Sequence, residues 1–435
     1  MKFGGSSVKD AERFKNVVSI VKARLDKKPI VVLSAVKGVT DNLIKALDES
    51  LEGNFNAYEE IVAKHNEIIK DLELDESVID QELKELKEAL DVNSKIKEKN
   101  AKILDYISFF GERMSTKLLA AHLNKVEINS KAYISGDIGL LTDSNFGDAT
   151  FQESSYELMN NNLSNLDHVA IVTGFGGKDD KGEYATFNRG GSDYVAALVG
   201  AAVNSEEIQI WTDVNGVMTT DPRIVETAKT IPELSFAEAA ELAFFGAKVL
   251  HPKTIKPAIA KNIPVKVLNT YEPGNEGTTI LPRINCSENE AVRAIATKKN
   301  VIIINLCSSR MLNAYGYLAK VFEIFQKYQK SVDMVTTSEV NLSITIDNDD
   351  NLDQIVNELK EFGNVLVEKE KAIVSIVGDC MKKTLGIGSK IFSILADEGI
   401  NVEMISQGAS EINLSFVIEN EKAKTAVKVL HKGLF

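Results

Sequence analysis

The sequence predicts an α/β protein: an open, mostly parallel sheet flanked by helices, followed by two smaller βαββαβ units of ferredoxin-like pattern. Three observations predict it. Short, wholly apolar runs end in loops of small and polar residues, as buried parallel strands do. A helix opened by Gly190-Gly191-Ser192-Asp193 lies between two such runs, giving strand, loop, helix, strand. A stretch near the C-terminus then repeats itself at a spacing of roughly 70 residues.

The elements follow in order. Lys2-Phe3-Gly4-Gly5-Ser6-Ser7 reads as a short strand and a glycine turn, and Ile30–Ala35 is the first buried run. From about 41 to 125 the text becomes charged and helical in period, most plainly over 81–90 and 114–123. Val169-Ala170-Ile171-Val172 then runs into Thr173-Gly174-Phe175-Gly176-Gly177. An Ala- and Val-rich helix over 192–203 separates it from Ile208-Gln209-Ile210-Trp211, which delivers Thr212-Asp213. In an open sheet of this kind the functional edge lies where the strands end and the loops begin. Residues 272–290 are turn-rich and suit a domain boundary. Beyond it, Val321–Phe325 matches Ile391–Leu395, Val332–Val335 matches Val402–Ile405, and Ser338–Ser343 matches Ser410–Ser415. Two copies are too few for a solenoid, so a pair of small sandwiches is expected. The expected domains are 1–283, 284–370 and 371–435.

Composition narrows the class. With 435 residues, 44% apolar and 26% charged, the chain can build two or three cores. A formal charge of −13 argues against a nucleic-acid surface. No apolar run reaches the roughly 18 residues of a membrane helix, and the N-terminus lacks the pattern of a signal peptide. Cys286, Cys307 and Cys380 suggest neither a disulfide framework nor a zinc site, and the five histidines are too scattered for a metal cage. A soluble, cytoplasmic protein is expected.

Several clusters carry chemistry. In Lys2-Phe3-Gly4-Gly5-Ser6-Ser7 the glycines let backbone N–H groups approach an anion and the lysine adds charge, although a plain turn reads as well. No Gly-x-x-x-x-Gly-Lys-Ser/Thr phosphate loop is present. Asn188-Arg189-Gly190-Gly191-Ser192-Asp193 offers a guanidinium fork for a carboxylate at a helix start, beyond what a cap alone requires. Trp211-Thr212-Asp213 through Asp221-Pro222-Arg223 sits where nucleotides bind in open sheets, yet alone would pass for an ordinary loop. Gly246–Pro252, with Lys248 and His251, reads by itself as a helix end. Phe109-Phe110-Gly111-Glu112-Arg113 would ordinarily hold a solvated glutamate.

Taken together, Lys-Phe-Gly-Gly-Ser-Ser, Ser34-Ala35, Gly111-Glu112, Arg-Gly-Gly-Ser-Asp, Trp-Thr-Asp-Val, Asp-Pro-Arg and Ala-Lys-Val-Leu-His-Pro occur in the order of the aspartokinase family. The resemblance covers nearly the whole chain, and the tandem repeat resembles that family's paired ACT domains. Residues 331–340 further resemble its monofunctional, lysine-sensitive branch. The resemblance implies the amino-acid kinase fold and transfer of the γ-phosphoryl of ATP, with Mg²⁺, to the β-carboxylate of L-aspartate. It implies catalytic roles for Lys2, Asp193 and Lys248. Arg189 would bind the substrate α-carboxylate and Glu112 its α-ammonium, with Thr40, Gly190, Gly191 and Ser192 completing that pocket. Gly4, Gly5, Ser6, Thr212, Asp213, Met218, Arg223, Lys248 and Val249 match nucleotide positions. The effector, L-lysine, would sit among Met311, Gly316, Leu318, Val332, Asp333, Thr337, Ser338, Glu339 and Val340, with Asp333 or Glu339 receiving its ammonium groups. A homodimer or homotetramer joined through the ACT domains is implied, as is a strand over 291–297 that belongs to the second repeat. No membrane or nucleic-acid partner is expected.

The chain departs from the family pattern at Met218, where tyrosine is common, and at Asn188, where glycine is common. Only Met1 precedes Lys2, so the edge strand leading into this lysine is either shortened or lies upstream of the given sequence. Another amino-acid kinase shares the α/β core, and an amino-acid sensor with an inactive kinase domain would share the repeat. Lys2, Arg189 and Asp193 weigh against the sensor.

Overall fold

The computed structural model describes residues 1–188, 190–245, 252–284, 291–408 and 412–435, which form two compact units. The first comprises Met1–Val217, Pro232–Phe236 and Val249–Arg283, and the second Met218–Ile231, Ala237–Lys248 and Ile284–Phe435. The segment 218–231 therefore belongs to the second unit, although the sequence places it before residue 283.

The first unit carries strands β1 (Lys2–Phe3), β2 (Val31–Leu33), β3 (Ser130–Tyr133), β4 (Val169–Thr173), a hairpin of β5 (Gly176–Lys178) and β6 (Tyr184–Thr186), then β7 (Ile208–Thr212), β8 (Glu233–Ser235), β9 (Val265–Asn269) and β10 (Thr278–Leu281). Apart from the hairpin they make one eight-stranded sheet in the order β3-β4-β2-β1-β7-β9-β10-β8. The first six are parallel, and β10 runs antiparallel to β9. Two expectations change here. β1 lies inside the sheet, between β2 and β7, and not at an edge. β10 occupies part of the stretch read as a boundary loop, because the run Thr278-Thr279-Ile280-Leu281 is short enough to hide among Gly and Pro.

Helices α1 (Ala11–Lys22), α2 (Val39–Leu51), α3 (Asn56–Asp71), α4 (Asp80–Ile96), α5 (Ala101–Ser108), α6 (Phe110–Lys125), α7 (Ser155–Leu163) and α8 (Gly191–Ala202) follow in chain order. α9 (Phe236–Phe244) lies mostly in the second unit, and α10 (Pro252–Lys261) is back in the first. Local chemistry sets several starts: Asp10 accepts from the Arg13 N–H at 2.9 Å and Asn100 from the Ile103 N–H at 2.9 Å, each capping an orphan donor. From β1 the chain crosses to β2 on one side, and from β7 it crosses to β9 on the other. The switch of direction therefore falls between β1 and β7, which is where open sheets present a crevice at the strand C-termini. Among the described residues no helix is long and apolar enough to cross a membrane.

The second unit is a six-stranded antiparallel sheet in the order β12-β13-β11-β14-β16-β15. Its strands are β11 (Ala294–Cys307), β12 (Val335–Thr337), β13 (Asn341–Ile346), β14 (Asn364–Val377), β15 (Met404–Ser406) and β16 (Asn413–Glu419), with α11 (Tyr317–Lys327), α12 (Leu352–Leu359), α13 (Ile387–Asp397) and α14 (Ala423–Leu434). The two repeats keep separate cores. One gathers Val321, Phe325, Leu342 and Ile355, and the other Ile391, Leu395, Phe416 and Val427. They do not keep separate sheets, because β11 and β14 run through both. Residues 294–299 pair with 372–377 of the second repeat, and the register shifts at Asn300, where φ is 59°. Glu370 takes the same left-handed conformation on β14. Such a bulge bends the long strands where one repeat gives way to the next. Cys307 is a free thiol and Cys380 is disulfide-bonded. The scattered cysteines suggest no disulfide framework, and the bonded Cys380 is a single exception that spacing along the chain does not reveal, since it carries no information on approach in space.

Lys371, the first residue of the second-repeat half of β14, is almost fully buried. Its Nζ lies 2.7 Å from Glu403, 2.7 Å from Glu419 and 3.3 Å from Glu368. Burial opposes its charge, but the hydrogen bonds it donates to these carboxylates outweigh it and hold the ammonium above the usual lysine range. Lys371→Met should lower stability by about 3 kcal/mol at neutral pH, because partly buried carboxylates lose their counter-charge. Chemical denaturation should show that deficit shrinking as pH falls through the carboxylate range; a loss independent of pH would assign the effect to packing.

Candidate active site

Loops at the C-terminal ends of β1, β2, β4 and β7 converge at the crevice. Their ladders continue one residue beyond each strand: Ser34 N–H donates to Phe3, Gly174 N–H to Leu33, and Thr270 N–H, past β9, to Thr212. The backbone there is consequently fixed, and the side chains that follow inherit its precision. Lys2, on β1, reaches Asp193 in the first turn of α8, Nζ to Oδ1 2.6 Å. Gly190 precedes that turn in the left-handed region at φ 80°, and Ser192 is buried beside Asp193. Gly4 and Gly5 turn the chain away from β1. A Cβ on Gly5 would stand 2.9 Å from the Ala35 carbonyl oxygen, so only glycine lets this backbone lie against the end of β2. Ser7 of the same turn shares a hydrogen bond with Thr270, Oγ to Oγ1 2.7 Å.

Glu112, which the resemblance places at the substrate ammonium, departs from what its local sequence suggests. It is buried, not solvated, because α6 abuts the end of β2 at Gly111, where a Cβ would come within 2.6 Å of the Ala35 Cβ. That close approach points Glu112 inward. Its Oε1 accepts from the Ala35 N–H at 3.0 Å, while its buried Oε2 has no hydrogen-bond partner. Burial pushes the carboxyl up to about 7, against the pull of the Ala35 N–H and the charge of Lys2. A buried carboxylate with an unused oxygen next to a lysine–aspartate pair is equipped to receive a cationic group. Helix α6 is itself anchored one residue on: Arg113 donates to Glu85 at 2.7 Å and to Glu82 at 3.3 Å, and Lys117 meets Glu82 at 2.7 Å.

The remaining expected residues divide. Thr40 lies half-buried in the first turn of α2. Thr212 ends β7 and its hydroxyl donates to the exposed Asp213 at 3.2 Å. The crevice thus gathers Lys2, Gly4, Gly5, Ser6, Glu112, Gly190, Gly191, Ser192, Asp193, Thr212 and Asp213 on neighbouring strand ends within one unit. Met218 and Arg223 belong to the second unit, where Arg223 is mostly exposed and pairs with Asp221 at 2.7 Å. Arg189, Lys248 and Val249 lie outside the described residues, as does His251.

The expected effector residues are all in the second unit. Met311 ends a short turn, Gly316 precedes α11 at φ 73°, and Leu318 is partly exposed in its first turn. Val332 and Asp333 lead into β12, Thr337 ends it, and Ser338, Glu339 and Val340 form the turn into β13. Both Asp333 oxygens are already taken, by Lys298 at 2.7 and 2.8 Å. Burial raises this carboxyl and the lysine only partly offsets it. Sequence reasoning passed over Lys298, which sits among charged residues with nothing to single it out, whereas Glu339 is exposed.

The amino acid kinase family model matches residues 1–269, and an ACT domain model matches residues 374–434. The chain is 40% identical to aspartokinase 1, chloroplastic, of Arabidopsis thaliana over 455 residues, an alignment spanning all of this chain and 80% of that one. Its fold is similar to Escherichia coli aspartokinase III solved with aspartate and ADP, with a TM-score of 0.82 and 33% identity, covering 100% of this chain and 99% of the other. It is equally similar to the same E. coli enzyme solved with lysine and aspartate, with a TM-score of 0.81 and 34% identity, covering 100% and 98%.

The raised Glu112 carboxyl has a stability consequence. Unfolded, the group ionises near 4.5, and folded, near 7. The folded chain therefore holds the proton more tightly, and stability falls as pH rises from about 4.5 to about 7, then levels. The loss is on the order of 3 kcal/mol at pH 8. Glu112→Gln should melt higher than the parent at pH 8 and like it below pH 4.5. A parent and variant with parallel melting curves across that range would show that Glu112 is not held in a dry pocket.

Proposed function

The chain belongs to the aspartokinase family, and we propose that it transfers the γ-phosphoryl of Mg-ATP to the β-carboxylate of L-aspartate, giving 4-phospho-L-aspartate and ADP. This is the first step toward lysine, threonine and methionine. The observation that carries the reading is buried Glu112, one oxygen unused, beside the Lys2–Asp193 pair at the switch point of the sheet.

The nucleophile is a carboxylate, ionised at neutral pH without help, so no general base is needed. What must be overcome is the approach of one anion to another and the charge on the phosphoryl group in flight. Lys2 supplies positive charge there and Asp193 orients its ammonium; Lys248 would add a second charge. Glu112 takes the α-ammonium and Arg189 the α-carboxylate, with Thr40, Gly190, Gly191 and Ser192 shaping the pocket. Opposite charges at its two ends separate an amino acid from a plain dicarboxylate. The residues fit a nucleotide phosphate tail: a Cβ on Gly4 would stand 3.4 Å from the Lys2 ammonium, so glycine leaves this backbone open beside a positive charge, and Thr212 ends β7, the strand next to β1, with Asp213 following it. Met218, Arg223 and Val249 are nucleotide positions by resemblance to the family alone. Mg²⁺, carried mainly by the phosphates, would neutralise their charge.

For the second unit we propose feedback inhibition by L-lysine, bound near Met311, Gly316, Leu318, Val332, Asp333 and Thr337–Val340. Its similarity to an aspartokinase solved with lysine supports this. Because Lys298 holds Asp333, exposed Glu339 is the carboxylate better placed to greet an effector ammonium. Lysine must bind one global state better than another to inhibit. Assembly into a homodimer or homotetramer through the ACT repeats is supported by Leu312 and Tyr315, large side chains left in the open beside α11. A cytoplasmic location fits an enzyme that uses ATP and free amino acids.

Aspartate-dependent ADP release, with the acyl phosphate trapped as a hydroxamate and lysine titrated in, tests both halves. Hydroxamate suppressed by lysine is the expected result. Product insensitive to lysine would remove lysine as the effector, and absence of product would favour an amino-acid sensor. Lys2→Ala should depress kcat by about 10²-fold or more with aspartate KM little changed. Aspartate does not titrate between pH 6 and 8, so kcat/KM for aspartate should fall below pH about 7 as Glu112 takes up a proton; a flat profile would remove Glu112 from the ammonium site.

A further inference from the structure

Asp105 stands in α5, on the same helix pair as Glu112, and none of the roles above uses it. It is 2% exposed, yet its carboxylate accepts three hydrogen bonds from a distant part of the chain. Oδ2 accepts from the Thr186 N–H at 2.8 Å and from the Gly147 N–H at 2.8 Å, and Oδ1 from the Thr186 hydroxyl at 2.6 Å. Thr186 is the last residue of β6, and its carbonyl in turn accepts from the Ala149 N–H at 3.0 Å. Every polar group of Thr186 is thereby fixed. Phe187 and Asn188 follow it, Gly190 directly precedes α8, and Gly191 N–H returns to the Asn188 carbonyl at 3.1 Å. A second brace acts beside the first: Tyr184 of β6 stacks on Phe109, between α5 and α6, with ring centroids 4.7 Å apart.

A buried carboxylate is a costly way to secure a strand when an apolar contact would do it. Here it buys geometry: it ties the segment that leads into α8 to the helix that precedes the one carrying Glu112. We propose that Asp105 is a positioning residue for the amino-acid substrate, setting Phe187, Asn188 and the start of α8 against Glu112 through Thr186 and Gly147. The inference rests on the aspartate-kinase reading above. Its effect belongs to binding of the substrate's α-substituents, which are remote from the phosphoryl group in both ground and transition states. It should therefore appear in aspartate KM and spare the nucleotide.

The test compares four variants with the parent in the hydroxamate assay. Asp105→Ala removes all three acceptors and should raise aspartate KM by about tenfold or more, with ATP KM within about twofold. Asp105→Asn can keep its one oxygen on the two backbone N–H groups and turn its amide to the Thr186 hydroxyl, which then accepts; it should return aspartate KM to within about threefold of the parent. Thr186→Val, which loses only the hydroxyl, should raise aspartate KM about two- to fivefold, and Thr186→Ser should restore it. Should Asp105→Ala fail to fold, the Thr186 pair carries the same comparison. Equal rises in aspartate and ATP KM, an unchanged aspartate KM in Asp105→Ala or Thr186→Val, or Asp105→Asn as impaired as Asp105→Ala would each overturn the inference. A parent without aspartate-dependent product would instead overturn the proposed function, a distinct outcome.

Discussion

Glu112 is a carboxylate inside the protein with one oxygen bonded to the Ala35 N–H and the other left unpaired. Much of the surrounding first unit can be understood as what holds that arrangement in place. Gly111 lets α6 lie against the end of β2, Arg113 and Lys117 tie the same helix to acids on α4, and the parallel sheet fixes Ala35. A group so placed is destabilising for the fold on its own, since its charge is poorly solvated. It becomes useful only when a cation arrives, which is why a pocket for an amino acid can be built around an uncompensated acid. Stability is given up where binding will restore it.

The second unit solves its charge problem the opposite way. Both repeats carry an acid at the same place, Asp333 in one and Glu403 in the other, and in both the chain supplies its own lysine, Lys298 or Lys371. Those lysines come from the two long strands that the repeats share. The bulge at Asn300 and the left-handed Glu370 mark where the strands pass from one core to the other. A shared strand leaves each repeat unable to shift without bending its neighbour, a property suited to a sensing module in which one set of contacts must influence another.

Much of the first unit was legible from residue pattern. The apolar runs at 30–35, 169–172 and 208–211 became β2, β4 and β7, and the Gly-Gly-Ser-Asp start became α8 with Asp193 aimed at Lys2. Other features were not. β10 is four residues long between turn residues, too short for periodicity to register. Glu112 looked like a solvated side chain because nothing local to Phe109–Arg113 reveals that β2 lies against Gly111. Asp105 and Lys298 gave no signal at all, since their partners lie 81 and 35 residues away.

The sequence by itself determined the class of elements, their order, the repeat, and the clusters of Gly, Lys, Ser and Asp at strand ends. These are set by short-range chemistry: apolar periodicity, the conformations open to glycine, and the capping of helix starts. Only the tertiary structure decided which carboxylates are buried, which of them are already neutralised, and that 218–231 packs with the second unit while β1 lies between β2 and β7. Those outcomes depend on desolvation and on approach between segments remote in the chain, and neither quantity is a property of any local window of residues.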